Sequence, residues 1–121
     1  MKLPGSATAA GTQRYRQRFD GEIPPEHFHQ VQGLWMSSIG FGTYLGNHDE
    51  DTDRQYSEAI VRAVESGCNV IDSAINYRCQ RSERSIGAAL KELTAKGYGR
   101  DEVIIATKGG FLPFDGTPPT D

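Results

Sequence analysis

Asp72, Tyr77 and Lys108 are residues whose types and spacing suit one reaction. Asp72 closes the apolar run Asn69-Val70-Ile71, Tyr77 follows in the next stretch, and Lys108 closes Val103-Ile104-Ile105-Ala106-Thr107, directly before Gly109 and Gly110. A phenol, with an ordinary pKa of about 10, is a poor proton donor near neutrality. A neighbouring ammonium corrects this by stabilising the phenolate left behind. A carboxylate beside that ammonium supplies the pairing that a charge at the end of an apolar strand requires. The trio therefore suits delivery of a proton to a developing alkoxide by general-acid catalysis. Taken singly, each residue has a plainer reading: the Asp as a turn former, the Tyr as packed, the Lys as solvated. The case for chemistry rests on the three together with the sequence that surrounds them.

The elements that must position these residues are legible in outline. Residues 1–13 are small and polar and read as a loose tail, followed by a hairpin and loop region over 14–37. In that region Tyr15–Phe19 is expected to pair with Leu34–Ser37 across a loop containing Gly21, Pro24 and Pro25. Arg14, Arg16 and Arg18 would then line the exposed side of a strand. Ser38 to Thr43 reads as a first core strand. Thr52-Asp53-Arg54-Gln55 has the capping-box pattern. Tyr56, Ala59, Ile60, Ala63 and Val64 follow on one helical face, with Gly67 placed to end the helix. Asn69–Asp72 is a short buried strand. A second helix from near Ser82 presents Ile86, Ala89, Leu90 and Leu93, and ends around Gly97 to Gly99. Glu102–Lys108 is a third strand, apolar on both faces. The order β-α-β-α-β implies a parallel sheet covered by helices, hence an α/β fold.

Several function classes fall away. The chain has 121 residues, 36% hydrophobic and 24% charged, with net charge −3, as expected of an ordinary globular protein. The acidic balance speaks against binding to nucleic acid. The apolar runs fall far short of the roughly 20 residues that cross a bilayer, and no secretory h-region is present, so a cytoplasmic protein off the membrane is expected. Gly40, Gly42 and Gly46 miss the dinucleotide fingerprint by one position. Asp49, Asp51 and Asp53 open like a calcium loop, but Arg54 and Ile60 stand where Gly and Glu are required. That acidic run reads as a solvated loop favouring a helix N-terminus. Cys68 and Cys79 fit no zinc spacing, and His27 and His29 lack a third ligand, so no metal is expected.

Four ordered motifs carry a family resemblance. Gly42-Thr43-Tyr44, then Asn69-Val70-Ile71-Asp72-Ser73-Ala74 with Asn76-Tyr77-Arg78, then Ser82-Glu83-Arg84-Ser85-Ile86-Gly87, and finally Ala106-Thr107-Lys108-Gly109-Gly110 resemble the N-terminal motifs of the aldo-keto reductases. The resemblance covers roughly residues 36–112. It implies the N-terminal part of a (β/α)8 TIM barrel that binds NADPH, or less often NADH, and reduces an aldehyde or ketone, with residues 38–121 as an incomplete barrel. It further implies that Tyr77 donates the proton, that Lys108 assists it, and that Asp72 balances Lys108. Gly42, Thr43, Tyr44 and Asp72 would lie against the cofactor.

The family's fourth site residue, a His at the end of the fourth strand, has no counterpart, since no His follows His48. A complete barrel needs about 250 residues. The expectation is thus an N-terminal fragment of a reductase, with a catalytically inactive barrel fragment or interaction module as the alternative. The isolated 121-residue chain is expected to show no NADPH-dependent reduction of simple aldehydes, which an assay of the purified chain checks.

Overall fold

The computed structural model describes residues 4–109 and 114–118, and the N-terminus is where it departs most from the sequence reading. Residues 9–17 form neither a tail nor a strand but a helix, α1 (Ala9–Gln17), capped by Thr8, whose hydroxyl accepts from the Gly11 N–H at 2.8 Å. Arg14 and Arg18 alternate as a strand pattern would, but they are also four apart and share one helical face. From that face they reach the short 3-10 turn Arg100–Glu102. Arg14 Nη2 lies 2.5 Å from Asp101, and Arg18 grips Glu102 through Nε at 2.6 Å and Nη2 at 3.0 Å. The Glu102 side chain is fully buried and also accepts from the Gly99 N–H at 2.6 Å. A buried carboxylate demands such partners. This pairing, distant in sequence, overrides the local strand pattern.

Tyr15 anchors the other face of α1. It is fully buried, its hydroxyl donates to the Val64 carbonyl at 2.5 Å, and its ring meets Phe19 and Phe28 edge-on. The N-terminal hairpin exists, but with a different first strand. β1 (Phe28–Val31), not Tyr15–Phe19, pairs antiparallel with β2 (Leu34–Ser37), in register from Phe28↔Ser37 to Val31↔Leu34. The connection is the pair Gln32-Gly33, both at positive φ (51° and 82°), as the tight primed hairpin turns require.

The expected β-α-β-α-β order follows: β3 (Gly40–Gly42), α2 (Glu50–Glu65), β4 (Val70–Asp72), α3 (Arg81–Ala95) and β5 (Ile104–Ala106). α2 begins before the Thr52 box. Its cap is Asp49, whose carboxylate accepts from the Thr52 N–H at 2.8 Å, so Thr52 belongs to the first turn. Asp is as good a cap as Thr, and Glu50, Asp51 and Asp53 in that turn favour the same start. Gly67, at φ 107°, lets the chain leave α2. Ile60 and Val64 of α2 join Ile86, Ala89, Leu90 and Leu93 of α3, Ile71 of β4 and Val103 in one apolar cluster.

The sheet runs β3-β4-β5, all parallel, with Gly40, Val70 and Ile104 level at one end and Gly42, Asp72 and Ala106 level at the other. Among the described residues it is open, and β3 and β5 are its edges. Burial on both faces is accordingly not reached in β5: Ile104 and Ile105 stay half-buried, while Ile71 on the central strand is fully buried. Among the described residues no helix is long and apolar enough to cross a membrane.

The contact between α1 and the 3-10 turn is close enough to require glycine. A Cβ at Gly11 would stand 2.3 Å from the Asp101 carbonyl oxygen. Gly11→Ala is expected to lower the unfolding free energy by about 1–3 kcal/mol, although Ala favours a helix by roughly 1 kcal/mol. Denaturant unfolding of parent and variant checks this.

Candidate active site

Parallel strands of matched register deliver their C-terminal ends to one place, and the predicted trio lies there. Asp72 is the last residue of β4 and Lys108 follows β5 by two residues. The ladder between them continues past both strands, with the Ser73 N–H donating to the Ala106 carbonyl at 2.7 Å and the Ile75 N–H to that of Lys108 at 3.0 Å. Lys108 is thereby held beside Asp72. Its Nζ lies 3.3 Å from Asp72 Oδ1, donates to the Ser73 carbonyl at 2.9 Å, and stands 4.7 Å from the centroid of the Tyr77 ring. Lys108 and Asp72 are each about half exposed, at 52% and 53% of their side chains, so the ammonium is paired yet open to solvent. The Tyr77 hydroxyl chiefly, with help from the Asp72 carboxylate, holds the Lys108 ammonium above its ordinary value, against the opposing effect of desolvation.

The three residues of the first motif divide in their placement. Tyr44 is exposed and its ring meets that of Tyr77 edge-on at 5.0 Å. Gly42 faces open space. Thr43 is fully buried, its hydroxyl donates to the Asp72 carbonyl at 2.8 Å, and its carbonyl accepts from the Ser82 hydroxyl at 2.5 Å. Its hydroxyl is thus engaged in locking β3 to the end of β4.

Residues absent from the sequence reading of the site hold its loops. Asp53, read as part of a solvated acidic run, sits in the first turn of α2 and pairs with two arginines of the next βα connection, Oδ1 with Arg78 Nη2 at 2.5 Å and Oδ2 with Arg81 Nη1 at 2.6 Å. The Arg78 side chain is only 1% exposed. Arg78, Cys79 and Gln80 occupy three consecutive left-handed positions, with φ of 49°, 54° and 72°. For residues other than glycine each such position costs roughly 1–2 kcal/mol. Asp53 and the two arginines lie on no shared periodicity, so no local pattern announces this cluster. His27 and His29 take structural bonds, His27 Nε2 to the Gly67 carbonyl at 2.9 Å and His29 Nε2 to the Ser38 hydroxyl at 3.1 Å. Among the described residues no cluster of three metal-ligating side chains occurs.

Comparison with known proteins places the chain in a family. The pattern of the Aldo/keto reductase family matches residues 38–120. The chain belongs to that family. As an aldo/keto reductase family member it is 33% identical over 91 residues to "Pyridoxal reductase, chloroplastic" of Arabidopsis thaliana, which covers 67% of this chain and 25% of that protein. It is 41% identical over 80 residues to "Aldo-keto reductase YhdN" of Bacillus subtilis (strain 168), covering 63% of this chain and 23% of that protein. The chain spans about a quarter of the length of these curated relatives. The family match begins after α1 and the hairpin, so both lie outside the matched region.

The charges around the site and at α2 set a pH dependence of stability. The backbone N–H of Thr52 first, and its hydroxyl next, hold the Asp49 carboxyl below its ordinary value, and the Arg84 guanidinium does the same for Asp115. A lowered carboxyl binds fewer protons in the folded chain, so its stabilisation is complete above the ordinary value of 3.8 and is lost as the pH falls through the lower folded value. For Lys108 the sign reverses: its contribution is complete below 10.5 and is lost as the pH rises through the raised folded value. Denaturation midpoints across pH are expected to fall at both extremes, and Lys108→Met is expected to reduce the alkaline fall while leaving the acid one unchanged.

Proposed function

We propose that this protein works as an NAD(P)H-dependent oxidoreductase that reduces an aldehyde or ketone to an alcohol, with residues 38–121 as opening units of a (β/α)8 barrel. The observation that carries this reading is the position of Lys108 Nζ, between the Asp72 carboxylate and the face of the Tyr77 ring at the C-terminal ends of the strands. Barrel enzymes keep their chemistry at that face.

In this reading Tyr77 donates its hydroxyl proton to the oxygen of the substrate carbonyl. Lys108 faces the ring that becomes the phenolate and offsets its charge. Asp72 fixes Lys108 through one carboxylate oxygen, and among the described residues its second oxygen carries no bond, which leaves it for a ligand hydroxyl. The residues present suit a nicotinamide nucleotide: Gly42 leaves open space beside the strand end, Tyr44 offers an exposed ring, and Asp72 offers a free acceptor. When bound, NADPH or NADH supplies the hydride that the carbonyl carbon accepts. The proton goes to the oxygen, and the product is the alcohol. The substrate is a small carbonyl compound, and the setting we assign is the cytoplasm.

In the natural protein that carries these residues, Tyr77→Phe is expected to lower kcat for carbonyl reduction by about 10²–10⁴-fold, the usual weight of a positioned general acid. NADPH binding, followed by the quenching of protein fluorescence, is expected to be nearly unchanged. Equal loss of both would make Tyr77 a structural residue.

A further inference from the structure

We propose that Arg78, anchored by Asp53, is a positioning residue for Tyr77, holding in one arrangement the two loops whose rings, Tyr44 and Tyr77, meet at the mouth of the site. The proposal rests on the reading of Tyr77 as proton donor given above.

The first observation is the backbone that follows Tyr77. Arg78, Cys79 and Gln80 are all left-handed, and none is glycine. Side-chain-bearing residues visit that region as single positions and persist there only where their surroundings over-determine them. The second observation is what does so here. The Arg78 guanidinium is buried, donates through Nε to the Asn47 carbonyl at 2.9 Å and through Nη2 to Asp53 Oδ1 at 2.5 Å, and lies 4.8 Å from the centroid of the Tyr56 ring. Arg81 takes the other Asp53 oxygen, and the Gly116 N–H donates to the Cys79 carbonyl at 2.7 Å. A planar fork with several donors is what allows one side chain to hold so many partners.

These partners belong to two different loops. Asn47 lies in the connection from β3 to α2, which carries Tyr44, and the Tyr56 hydroxyl donates to the Leu45 carbonyl in the same connection. Arg78 itself lies in the connection from β4 to α3, directly after Tyr77. One guanidinium therefore ties the Tyr44 loop to the Tyr77 loop, and the rings of the two loops meet at 5.0 Å. Packing alone would be served by an apolar side chain without the desolvation of a charge. Nη1 of Arg78, buried with no partner among the described residues, marks how far satisfaction has been given up to keep the fork in place.

The test uses the natural protein with three variants, Tyr77→Phe, Arg78→Lys and Asp53→Asn, and the double variants that combine each of the last two with Tyr77→Phe. A misplacement of about 1 Å at a reacting group can cost on the order of 10²-fold in rate, so Arg78→Lys and Asp53→Asn are each expected to lower kcat by about 10–10²-fold. The KM for NADPH is expected to change by less than about twofold. In the Tyr77→Phe background neither change is expected to lower the residual kcat further, because the group they position is already gone. Asp53→Asn, which keeps volume and one hydrogen bond, serves if Arg78→Lys fails to fold. Turnover of both variants within about twofold of the parent, with Tyr77→Phe inactive, overturns the positioning role alone. Equal losses in both backgrounds overturn it too, as a merely structural effect. Full activity of Tyr77→Phe removes the proton-donor reading, and this proposal with it.

Discussion

Asn69 is fully buried and bonds through every polar group it has. Its Oδ1 accepts from the Ser37 N–H at 2.9 Å, its Nδ2 donates to the Trp35 carbonyl at 2.9 Å and the Glu102 carbonyl at 3.2 Å, its N–H donates to the Ser37 hydroxyl at 3.1 Å, and its carbonyl accepts from the Ile104 N–H at 2.8 Å. One side chain thus joins the hairpin, the entry to β4 and the turn before β5. An apolar residue there would leave buried carbonyls without donors, at the cost such orphaned groups carry. Because the strands are parallel and start from this fixed point, their far ends arrive level. Asp72 and Lys108 are neighbours on account of a bond made at the opposite end of the sheet.

The two ends of that sheet are built on different principles. At the Asn69 end neutral groups are buried and mutually satisfied. At the other end the charges are only half covered, and Lys108 is held by one carboxylate, one carbonyl and the face of a ring. A cation so held keeps its charge and remains within reach of a ligand. The rigidity missing from the site itself is supplied from outside it, by Asp53 and Arg78 in the surrounding connections.

What the sequence makes legible follows from the range of the interactions. The order β-α-β-α-β could be read because Ile60, Val64, Ile86 and Leu93 recur at helical spacing and Ile71 and Val103 lie in short apolar runs; both signals are local. Asp72, Tyr77 and Lys108 could be singled out because strand ends and flanking motifs fix them. α1 is not legible because Arg14 and Arg18 fit a strand as well as a helix until Asp101 and Glu102 are placed beside them. Gln32-Gly33 between two apolar-bearing runs is a turn signal, but Tyr15–Phe19 offers a competing pattern for the first hairpin strand. The hydrogen bond from the Thr43 hydroxyl to the Asp72 carbonyl is likewise invisible in the motif that contains it. Arg78 and Asp53 are 25 residues apart and share no pattern that a sequence displays.

The buried Glu102 also bears on the order in which the chain can be assembled. Its partner Arg18 lies 84 residues earlier, so the first helix leaves the ribosome long before the carboxylate it must neutralise has been made. Such a contact is among the slowest to form, because the intervening loop must close first. Docking of α1 is what brings Arg14 and Arg18 to the buried Glu102, just ahead of β5. The N-terminal helix is thereby tied to the turn before β5 by a contact that only long-range closure of the chain can make.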